Sequence, residues 1–440
     1  MSALVITVVS VMAVVLTLLA TTTLWWQLHA WRTPTTLAGV GFTSGDDRPQ
    51  LTFSLLVPGR HEEAVLEATL RRLLAMDHPA FEVLPIVGHD DAATHAVAER
   101  VARDHPDQVR VVVDHNWPKN KPKALNTALP LCRGEVVGVF DAEDEVDPRL
   151  LRRVDATARL TGADVVQGGV QLMNYDSSWY SLRNCLEYFF WFRSRLHLHA
   201  RHNFIPLGGN TVFVRTALLR ATGGWDEDCL AEDCDLGVRL SSLGKKVEVC
   251  YDPHLVTREE TPDTLGSLLK QRTRWNQGFL QVLRKGQWRR LPRAQRMLAR
   301  YTLSAPFLQA FTGLAVPVNV GCALAAKVPV GVALLSFVPA VPTALSLVFD
   351  AVALREFGRM YYVRPRAWHY ARLVVGTLPY QLLLAAAALR AVYRELRGQR
   401  GWEKTSHVGA HRLPGAATTR APADDGAARL LPDASGGRSR

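Results

Sequence analysis

Residues 135–144 read EVVGVFDAED. Apart from Glu135, the first six residues are apolar or glycine, which predicts a short buried strand over 135–140 that runs directly into Asp141. In sheets whose strands alternate with helices, ligands bind beyond the carboxyl ends of the strands. The stretch therefore predicts a central strand and, at its end, an acidic loop with a functional role.

The surrounding sequence continues the alternation of strand and helix. Apolar runs and helical spacing predict strands over 51–57, 81–87, 111–113 and 135–140, and helices over 62–76, 92–104 and 124–131. Pro58 and Gly59 are expected to stop the first strand. Strands that alternate with helices imply a mainly parallel sheet covered on both faces, so we predict an α/β, Rossmann-like domain over residues 50–290.

Long apolar stretches lie on both sides of this domain, at 3–26, 301–325, 328–350 and 371–390. The first has no charged residue and is long enough to span a bilayer core. A cleaved secretory signal is the alternative, but it would need a basic start and a shorter apolar run. We predict a transmembrane anchor over residues 1–30 and a membrane region of about three spans over residues 300–393.

Basic residues set the expected orientation. Arg32 and Arg48 follow the first apolar stretch, and a later loop carries Arg355, Arg359, Arg364, Arg366 and Arg372. The positive-inside rule then makes the chain a multi-pass protein of the plasma membrane with its polar domain in the cytoplasm. Four full spans would leave the Arg-rich tail outside, so either one late stretch is re-entrant or interfacial, or the tail breaks the rule. Composition predicts disorder over residues 409–440.

The formal net charge of +11 raises the possibility of nucleic-acid binding. No zinc-finger spacing, helix-turn-helix pattern or RNA-recognition motif accompanies it, and the basic residues flank membrane segments, so an anionic membrane surface explains the charge. The six cysteines have no CxxC spacing and are interpreted as reduced thiols of a cytosolic domain. We therefore expect a membrane partner and no nucleic acid.

Two acidic clusters follow predicted strands. Asp90 and Asp91 could bind the hydroxyls or base of a nucleoside, or could simply cap the next helix. Asp141 and Glu143, with Asp144 beside them, could direct oxygens at Mg²⁺ or Mn²⁺, hard cations that also bind a diphosphate. An acidic helix amino terminus is the alternative for this second cluster.

Two further segments carry candidate residues for catalysis. Lys121 lies at the start of a helix, where a cation favours a bound anion, although a solvated loop lysine would look the same. Glu232 and Asp233 could supply a general base, because burial raises the proton affinity of a carboxylate. A surface acidic turn is the alternative for this pair.

Gln271, Arg274 and Trp275 are three and four residues apart on a helix predicted to begin near Thr264. Residues at this spacing share one helix face. An amide, a guanidinium and an indole on one face can bind a diphosphate and stack against a sugar ring. An amphipathic helix on the membrane surface would show the same residue types.

The order and spacing of these motifs resemble the membrane-bound family 2 glycosyltransferases, which include cellulose and hyaluronan synthases and bacterial N-acetylglucosaminyltransferases. The matching elements are Asp91, Lys121 with Ala124-Leu125-Asn126, Asp141-Ala142-Glu143, Glu232-Asp233 and Gln271-x-x-Arg274-Trp275. The resemblance covers roughly residues 50–290. Gln-x-x-Arg-Trp beside membrane spans is its most specific part.

The resemblance implies a GT-A fold and an inverting, Mg²⁺- or Mn²⁺-dependent transfer of a sugar from a nucleotide diphosphate donor, UDP-linked glucose or N-acetylglucosamine. Asp91, with Asp90 as the alternative, would contact the nucleotide together with Lys121 and Asp141. Asp141 and Glu143 would hold the metal, with Asp144 as a substitute, since the family usually has Asp where this chain has Glu143. Asp233 would be the base, with Glu232 beside it, and Gln271, Arg274 and Trp275 would bind the diphosphate and acceptor.

The acceptor would be a hydroxyl on a lipid or a growing polysaccharide. Polymer-exporting synthases generally have more spans than the four candidates here, which favours a lipid or short glycan, or a channel completed by an oligomer or partner subunit. A non-catalytic membrane scaffold that retains the fold is the alternative function. The filled acidic and Gln-x-x-Arg-Trp positions argue against it.

Overall fold

The computed structural model describes residues 3–29, 48–325, 329–403 and 409–412. The strands are β1 (Phe53–Gly59), β2 (Phe81–Gly88), β3 (Val112–Asp114), β4 (Val136–Val139), β5 (Val165–Gly168), β6 (Val170–Leu172), β7 (Val212–Arg215), β8 (Val247–Cys250) and β9 (Thr257–Glu259). Residues 48–290 form the polar region, whose helices are α2 (Leu66–Leu74), α3 (Ala92–Asp104), α4 (Lys121–Ala128), α5 (Leu150–Thr161), α6 (Ser181–Phe190), α7 (Leu196–Arg201), α8 (Thr216–Ala221), α9 (Glu232–Ser242) and α10 (Leu265–Lys285). The helices outside it are α1 (Ala3–His29), α11 (Arg293–Ala325), α12 (Val330–Phe337), α13 (Ala340–Met360), α14 (Ala367–Val375) and α15 (Thr377–Leu396).

A seven-stranded sheet, in the order β3-β2-β1-β4-β7-β5-β8, forms the centre of the polar region. All neighbouring strands are parallel except β7, which runs antiparallel to both β4 and β5. A small second sheet pairs β6 with β9 in parallel. The predicted α/β fold with a mainly parallel sheet is confirmed.

The first strand does not stop where the sequence predicted. Pro58 and Gly59 continue β1 and pair with Ile86 and Val87 of β2. On the other side, pairing of β1 with β4 ends at Leu56, and the carbonyl of Leu56 accepts from the N–H of Phe140. The backbone groups of alternate residues in a strand point towards the same neighbouring strand, so those of Pro58, like those of Leu56, point to the β4 side. Pairing with β4 has ended at Leu56, so the sheet does not need the N–H that Pro58 lacks.

Apolar side chains cover both faces of the sheet. Leu55 and Val57 of β1 pack with Leu66 of α2 on one face, whereas Leu56 packs with Leu125 of α4 on the other. This alternation follows from the two-residue period of a strand. A sheet buried on both faces explains why the strand at 135–140 is apolar at almost every position.

Three helical segments are long and apolar enough to cross a membrane: Ala3–Trp26, Arg293–Ala325 and Val330–Met360. A fourth candidate is the pair α14 and α15, which bends by 46° at Gly376. These findings concern the described residues. The predicted stretches at 3–26 and 301–325 fall within the first two candidates, the stretch at 328–350 overlaps the third from residue 330 onward, and the stretch at 371–390 falls within the bent pair.

A short turn of 3₁₀ helix, Ala410–Arg412, lies at the start of the segment predicted to be disordered. The N–H groups of Gly409 and Ala410 donate to the carboxylate of Glu260. Residues 409–412 are therefore bound to the polar region, whereas residues 413–440 lie outside the described part of the chain.

Candidate active site

A cavity of about 920 Å³ opens at the carboxyl ends of β1, β2, β3 and β4. Residues at or just after the ends of these strands line it, among them Arg60, Gly88, Asp114 and Asp141. Gly208–Asn210 also line it, because β7 is antiparallel and its amino end lies at the same sheet edge. The other wall of the cavity is formed by residues of the candidate membrane spans, among them Leu19 of α1, Thr312 of α11 and Leu347 of α13. One cavity thus joins the sheet edge to the apolar helices.

The acidic loop after β4 contributes Asp141 and Glu143 to the cavity wall. The ammonium group of Lys121, at the first position of α4, forms an ion pair with Asp141 and donates to the carbonyl of Gly209 at 2.8 Å. Lys121 is therefore neither solvated nor on a free loop. It joins the acidic loop to the segment before β7.

Asp144 is placed differently from its neighbours. Its side chain is fully buried, and its two oxygens accept from the N–H of Asp141 and from the amide of Asn210, both at 2.8 Å. The same amide donates to Glu259, a cavity residue at the end of β9. Asp144 therefore supports the loop, and Glu143 is the residue whose carboxylate lies at the cavity.

The charges around this loop fit a hard cation. Burial, with the nearby charges of Asp141 and Glu143, raises the pKa of Glu259 to about 8. Burial and the charge of Glu259 raise the pKa of Asp144 as well. Carboxylates raise one another's pKa when they lie close together and too few positive charges lie near them. Carboxylate oxygens are also the donors that Mg²⁺ and Mn²⁺ prefer. Among the described residues no three acidic, His or Cys side chains converge into a complete metal site, so oxygens of a ligand would have to complete the coordination.

Glu232 and Asp233 begin α9 and both line the cavity. Burial and the charge of Asp233 raise the pKa of Glu232 to about 7, and burial raises the pKa of Asp233. One oxygen of Asp233 accepts from the N–H of Cys234 at 2.7 Å, which holds the carboxylate in place. A Cβ on Gly209 would lie 3.0 Å from the other oxygen of Asp233, so the segment before β7 approaches the carboxylate closely.

The helix α10 begins where the sequence predicted, because the hydroxyl of its N-cap residue Thr264 accepts from the N–H of Ser267. Gln271, Arg274 and Trp275 all line the cavity. The guanidinium of Arg274 lies over the ring of Trp402, 4.2 Å from its centroid. The three residues of the motif thus share one cavity-facing side of the helix.

Asp90 and Asp91 are not among the residues that line the cavity. Asp91 is 3% exposed, and it accepts from the N–H groups of Thr94 and His61. It is the N-cap of α3, the capping alternative that its sequence allowed. Asp90 forms an ion pair with Arg60 at 2.9 Å, and it is Arg60 that reaches the cavity.

Sequence reasoning missed several residues of this site. Asp114 ends β3 and lines the cavity, so the strand-end rule that selected Asp141 could have found it. Glu259 follows no recognisable motif. Arg412 was assigned to the disordered tail, yet its guanidinium donates to the carbonyls of Glu143 and Asp144 at 2.7 and 3.0 Å.

The fold and the site together define a class of protein. Residues 49–278, just over half of the 440 residues, match the family model described as glycosyltransferase like family 2. The chain belongs to glycosyltransferase family 2, and the resemblance inferred from its motifs is confirmed.

Particular relatives cover the same region. Over 233 residues the chain is 30% identical to the beta-monoglucosyldiacylglycerol synthase of a Synechocystis species, which covers 52% of this chain and 47% of that protein. Over 249 residues it is 26% identical to the poly-beta-1,6-N-acetyl-D-glucosamine synthase of Staphylococcus epidermidis, which covers 53% of this chain and 56% of that protein. The chain spans about half the length of the curated relatives it matches.

The fold is similar to that of a solved mannosyltransferase from Pyrobaculum calidifontis, in complex with GDP-Man and Mn²⁺. The similarity has a TM-score of 0.59 at 20% identity and covers 88% of this chain and 99% of the other. The fold is accordingly GT-A, as the resemblance implied.

Proposed function

We propose that the protein transfers a sugar, with inversion, from a nucleotide diphosphate sugar to a hydroxyl acceptor at the membrane. The observation that carries this proposal is the continuity of the 920 Å³ cavity. It brings Asp141, Glu143, Asp233 and Arg274 together and continues between the membrane helices. A soluble donor can reach the sheet edge, and a membrane-bound acceptor can reach the same carboxylates from the other side.

The donor would be UDP-linked glucose or N-acetylglucosamine, in keeping with the sugars in the names of the two curated relatives. Asp141 and Glu143 would hold Mg²⁺ or Mn²⁺ against the diphosphate, while Arg60, Asp114 and Lys119 line the part of the cavity beside β1 to β3. A bound metal ion supplies neutralisation of the charge that develops on the departing diphosphate. Asp90 and Asp91 would position this part of the site through Arg60 and α3.

Asp233 would act as the general base. It takes the proton of the acceptor hydroxyl, the acceptor oxygen bonds to the anomeric carbon, and the bond from that carbon to the diphosphate oxygen breaks on the opposite face. The raised pKa of Asp233 suits a base that works near neutral pH. Arg274 would stabilise the leaving diphosphate, with Gln271 and Trp275 beside it, and Lys121 would hold Asp141 in position.

The catalytic region would lie in the cytoplasm and the protein would be a multi-pass protein of the plasma membrane. Both helices of the bent pair are bound to the polar region: Arg183 donates to the carbonyl of Leu373 in α14 at 2.8 Å, and Arg284 pairs with Glu395 of α15 at 2.6 Å. Because each of its two helices is attached to the polar region, we infer that the pair lies along the membrane surface and is interfacial. With three spans the chain would return to the cytoplasmic side after α13. The Arg-rich tail would then lie on the side that the positive-inside rule favours.

The test is a transfer assay with purified protein in detergent. Labelled UDP-glucose, UDP-N-acetylglucosamine and GDP-mannose are supplied with a bacterial lipid extract, with Mn²⁺ or with a chelator, and Asp233→Asn is the control. We expect Mn²⁺-dependent transfer of one sugar to an acceptor, and no transfer by the variant. Turnover that survives chelation would remove the metal role of Asp141 and Glu143. Absence of turnover with every donor and acceptor would favour the non-catalytic scaffold.

A further inference from the structure

The cations that line the cavity divide into two groups. Five of the seven Lys and Arg side chains at its wall have a carboxylate partner within 4.0 Å: Arg60, Lys119, Lys121, Arg183 and Arg272. Arg195 and Arg274 have no such ion pair within the described residues. A guanidinium is charged at every physiological pH, and a partly buried charge is costly without a counter-charge. The two arginines therefore have room for an anionic partner that the described residues do not supply as an ion pair.

The proposed function accounts for one of them. Arg274 belongs to the Gln-x-x-Arg-Trp helix and would bind the diphosphate of the donor. Arg195 lies on a different wall of the cavity, at the end of a turn of π-helix, Trp191–Arg195. Single π-helical turns are rare and occur often at functional sites. The anion that satisfies Arg195 must come from elsewhere.

The neighbours of Arg195 place it at the level of the membrane surface. Its guanidinium lies 5.6 Å from the ring of Trp26, the last residue of the first candidate span. Trp26 in turn stacks on Tyr301 of α11. Aromatic residues of this kind mark the interface where lipid head groups lie. Burial and the charge of Arg195 lower the pKa of the adjacent His199 to about 3, so this histidine is neutral and adds no charge.

The acidic side chain whose charge acts on Arg195 is already engaged. Glu187 influences Arg195 electrostatically, but its carboxylate forms an ion pair with Arg272. Beyond Arg195 the cavity wall follows α11 from Tyr301 to Val316, which is about 22 Å at a rise of 1.5 Å per residue. Leu19, Leu347 and Leu378 are among the apolar residues of this part. An occupant would need an apolar body with a negative group at one end.

We propose that Arg195 binds the phosphate of a lipid acceptor, so that the acceptor is a phosphate-bearing lipid rather than a neutral one. This inference rests on the proposed function and specifies its acceptor. The apolar chains lie between the membrane helices, the phosphate lies at Arg195, and the hydroxyl beyond the phosphate reaches Asp233. A guanidinium recognises phosphate oxygens with two parallel hydrogen bonds. A bound phospholipid that does not react would use the same chemistry, and the experiment separates the two.

The first arm measures transfer with the full chain in a detergent free of sugar and phosphate. Phosphatidylglycerol and diacylglycerol form a matched pair, since both offer a hydroxyl and only one has a phosphate, and a lipid extract is divided into acidic and neutral fractions. We expect label in the acidic lipids. Arg195→Gln should raise the acceptor KM about tenfold to a hundredfold, as expected for the loss of a charge-assisted contact.

Arg193→Gln is the matched control. Arg193 lies in the same π-helical turn and packs over Phe189, 5.2 Å from its ring centroid, but it does not line the cavity. This variant should keep the acceptor KM of the unmodified protein. Label confined to neutral lipids, or an unchanged acceptor KM in Arg195→Gln, would overturn the proposal.

The second arm measures binding without turnover. Short-chain phosphatidylglycerol is titrated into the Asp233→Asn protein and followed by tryptophan fluorescence, since Trp26 lies beside Arg195. We expect saturable binding that the additional change Arg195→Gln abolishes and that short-chain diacylglycerol does not reproduce. Binding at Arg195 combined with transfer only to neutral lipids would identify a non-reacting lipid and would contradict the acceptor assignment. If no donor is turned over yet this binding persists, the proposed function fails and the phosphate site stands.

Discussion

The contact between Arg412 and the acidic loop offers the sharpest test of how this site is held. The guanidinium donates to the carbonyls of Glu143, Asp144 and Val65 at 2.7, 3.0 and 3.0 Å, and to the hydroxyl of Thr69 at 2.6 Å. The Thr69 hydroxyl donates onward to the carbonyl of Ala142 at 2.6 Å. Arg412 therefore fixes the backbone of the loop that carries Asp141 and Glu143.

The expected effect of Arg412→Ala follows from this count of contacts. Hydrogen bonds from a charged donor contribute about 1.5–3 kcal/mol each, and breaking a buried charged network costs about 3–5 kcal/mol in total. A loss of about 3 kcal/mol lowers the ratio of docked to undocked segment more than a hundredfold. The sheet and its core are untouched, so we expect the protein to fold, with the KM values for Mn²⁺ and donor raised about tenfold or more.

The assay compares a truncation after Arg412 with one after Val408. The first removes residues 413–440 and keeps every contact described above, so the KM values should not change. The second removes the whole 409–412 turn and should behave like Arg412→Ala. Arg412→Lys should be intermediate, since an ammonium keeps the charge but lacks the planar fork of five donors. Unchanged KM values for Mn²⁺ and donor in Arg412→Ala, with thermal stability intact, would refute the positioning role of Arg412.

Further predictions concern the carboxylates at α9. Asp233→Asn should lower kcat about a hundredfold to ten-thousandfold, the contribution typical of a general base, and should retain donor binding in a calorimetric titration. Glu232→Gln should lower kcat less. A larger loss of kcat in Glu232→Gln than in Asp233→Asn would make Glu232 the base. Because the pKa of Asp233 is raised and only its ionised form accepts a proton, kcat/KM should fall as the pH is lowered, and the fall should begin at a higher pH than for an ordinary aspartate. A rate that stays constant down to the pH at which an ordinary aspartate titrates would contradict the raised pKa of this base. Gly209→Ala should lower kcat about tenfold at nearly unchanged thermal stability, because the new Cβ would lie 3.0 Å from Asp233 and 3.6 Å from Lys121; wild-type kcat would show that this close approach has no catalytic effect.

The sequence alone determined the elements and the positions of most candidate residues. The strand over 135–140, the apolar stretch 3–26 and the face of α10 that carries Gln271, Arg274 and Trp275 follow from patterns within one segment. Such patterns have physical causes that act locally: the two-residue period of a strand, the 3.6-residue period of a helix and the thickness of a bilayer. The parallel sheet also followed, because alternating strands and helices permit few other arrangements.

Only the tertiary structure decided what each candidate residue contacts. Residues next to each other in the sequence have different roles. Asp144 is buried and accepts from Asn210, whereas Glu143 lines the cavity. Asp91 is the N-cap of α3. Residues far apart converged, as Arg412 reached a loop more than 260 residues earlier. The physical reason is that a carboxylate's role depends on which donors, charges and solvent surround it. Those partners come from other strands and helices, and their distances exist only once the sheet is paired and the apolar helices pack against it.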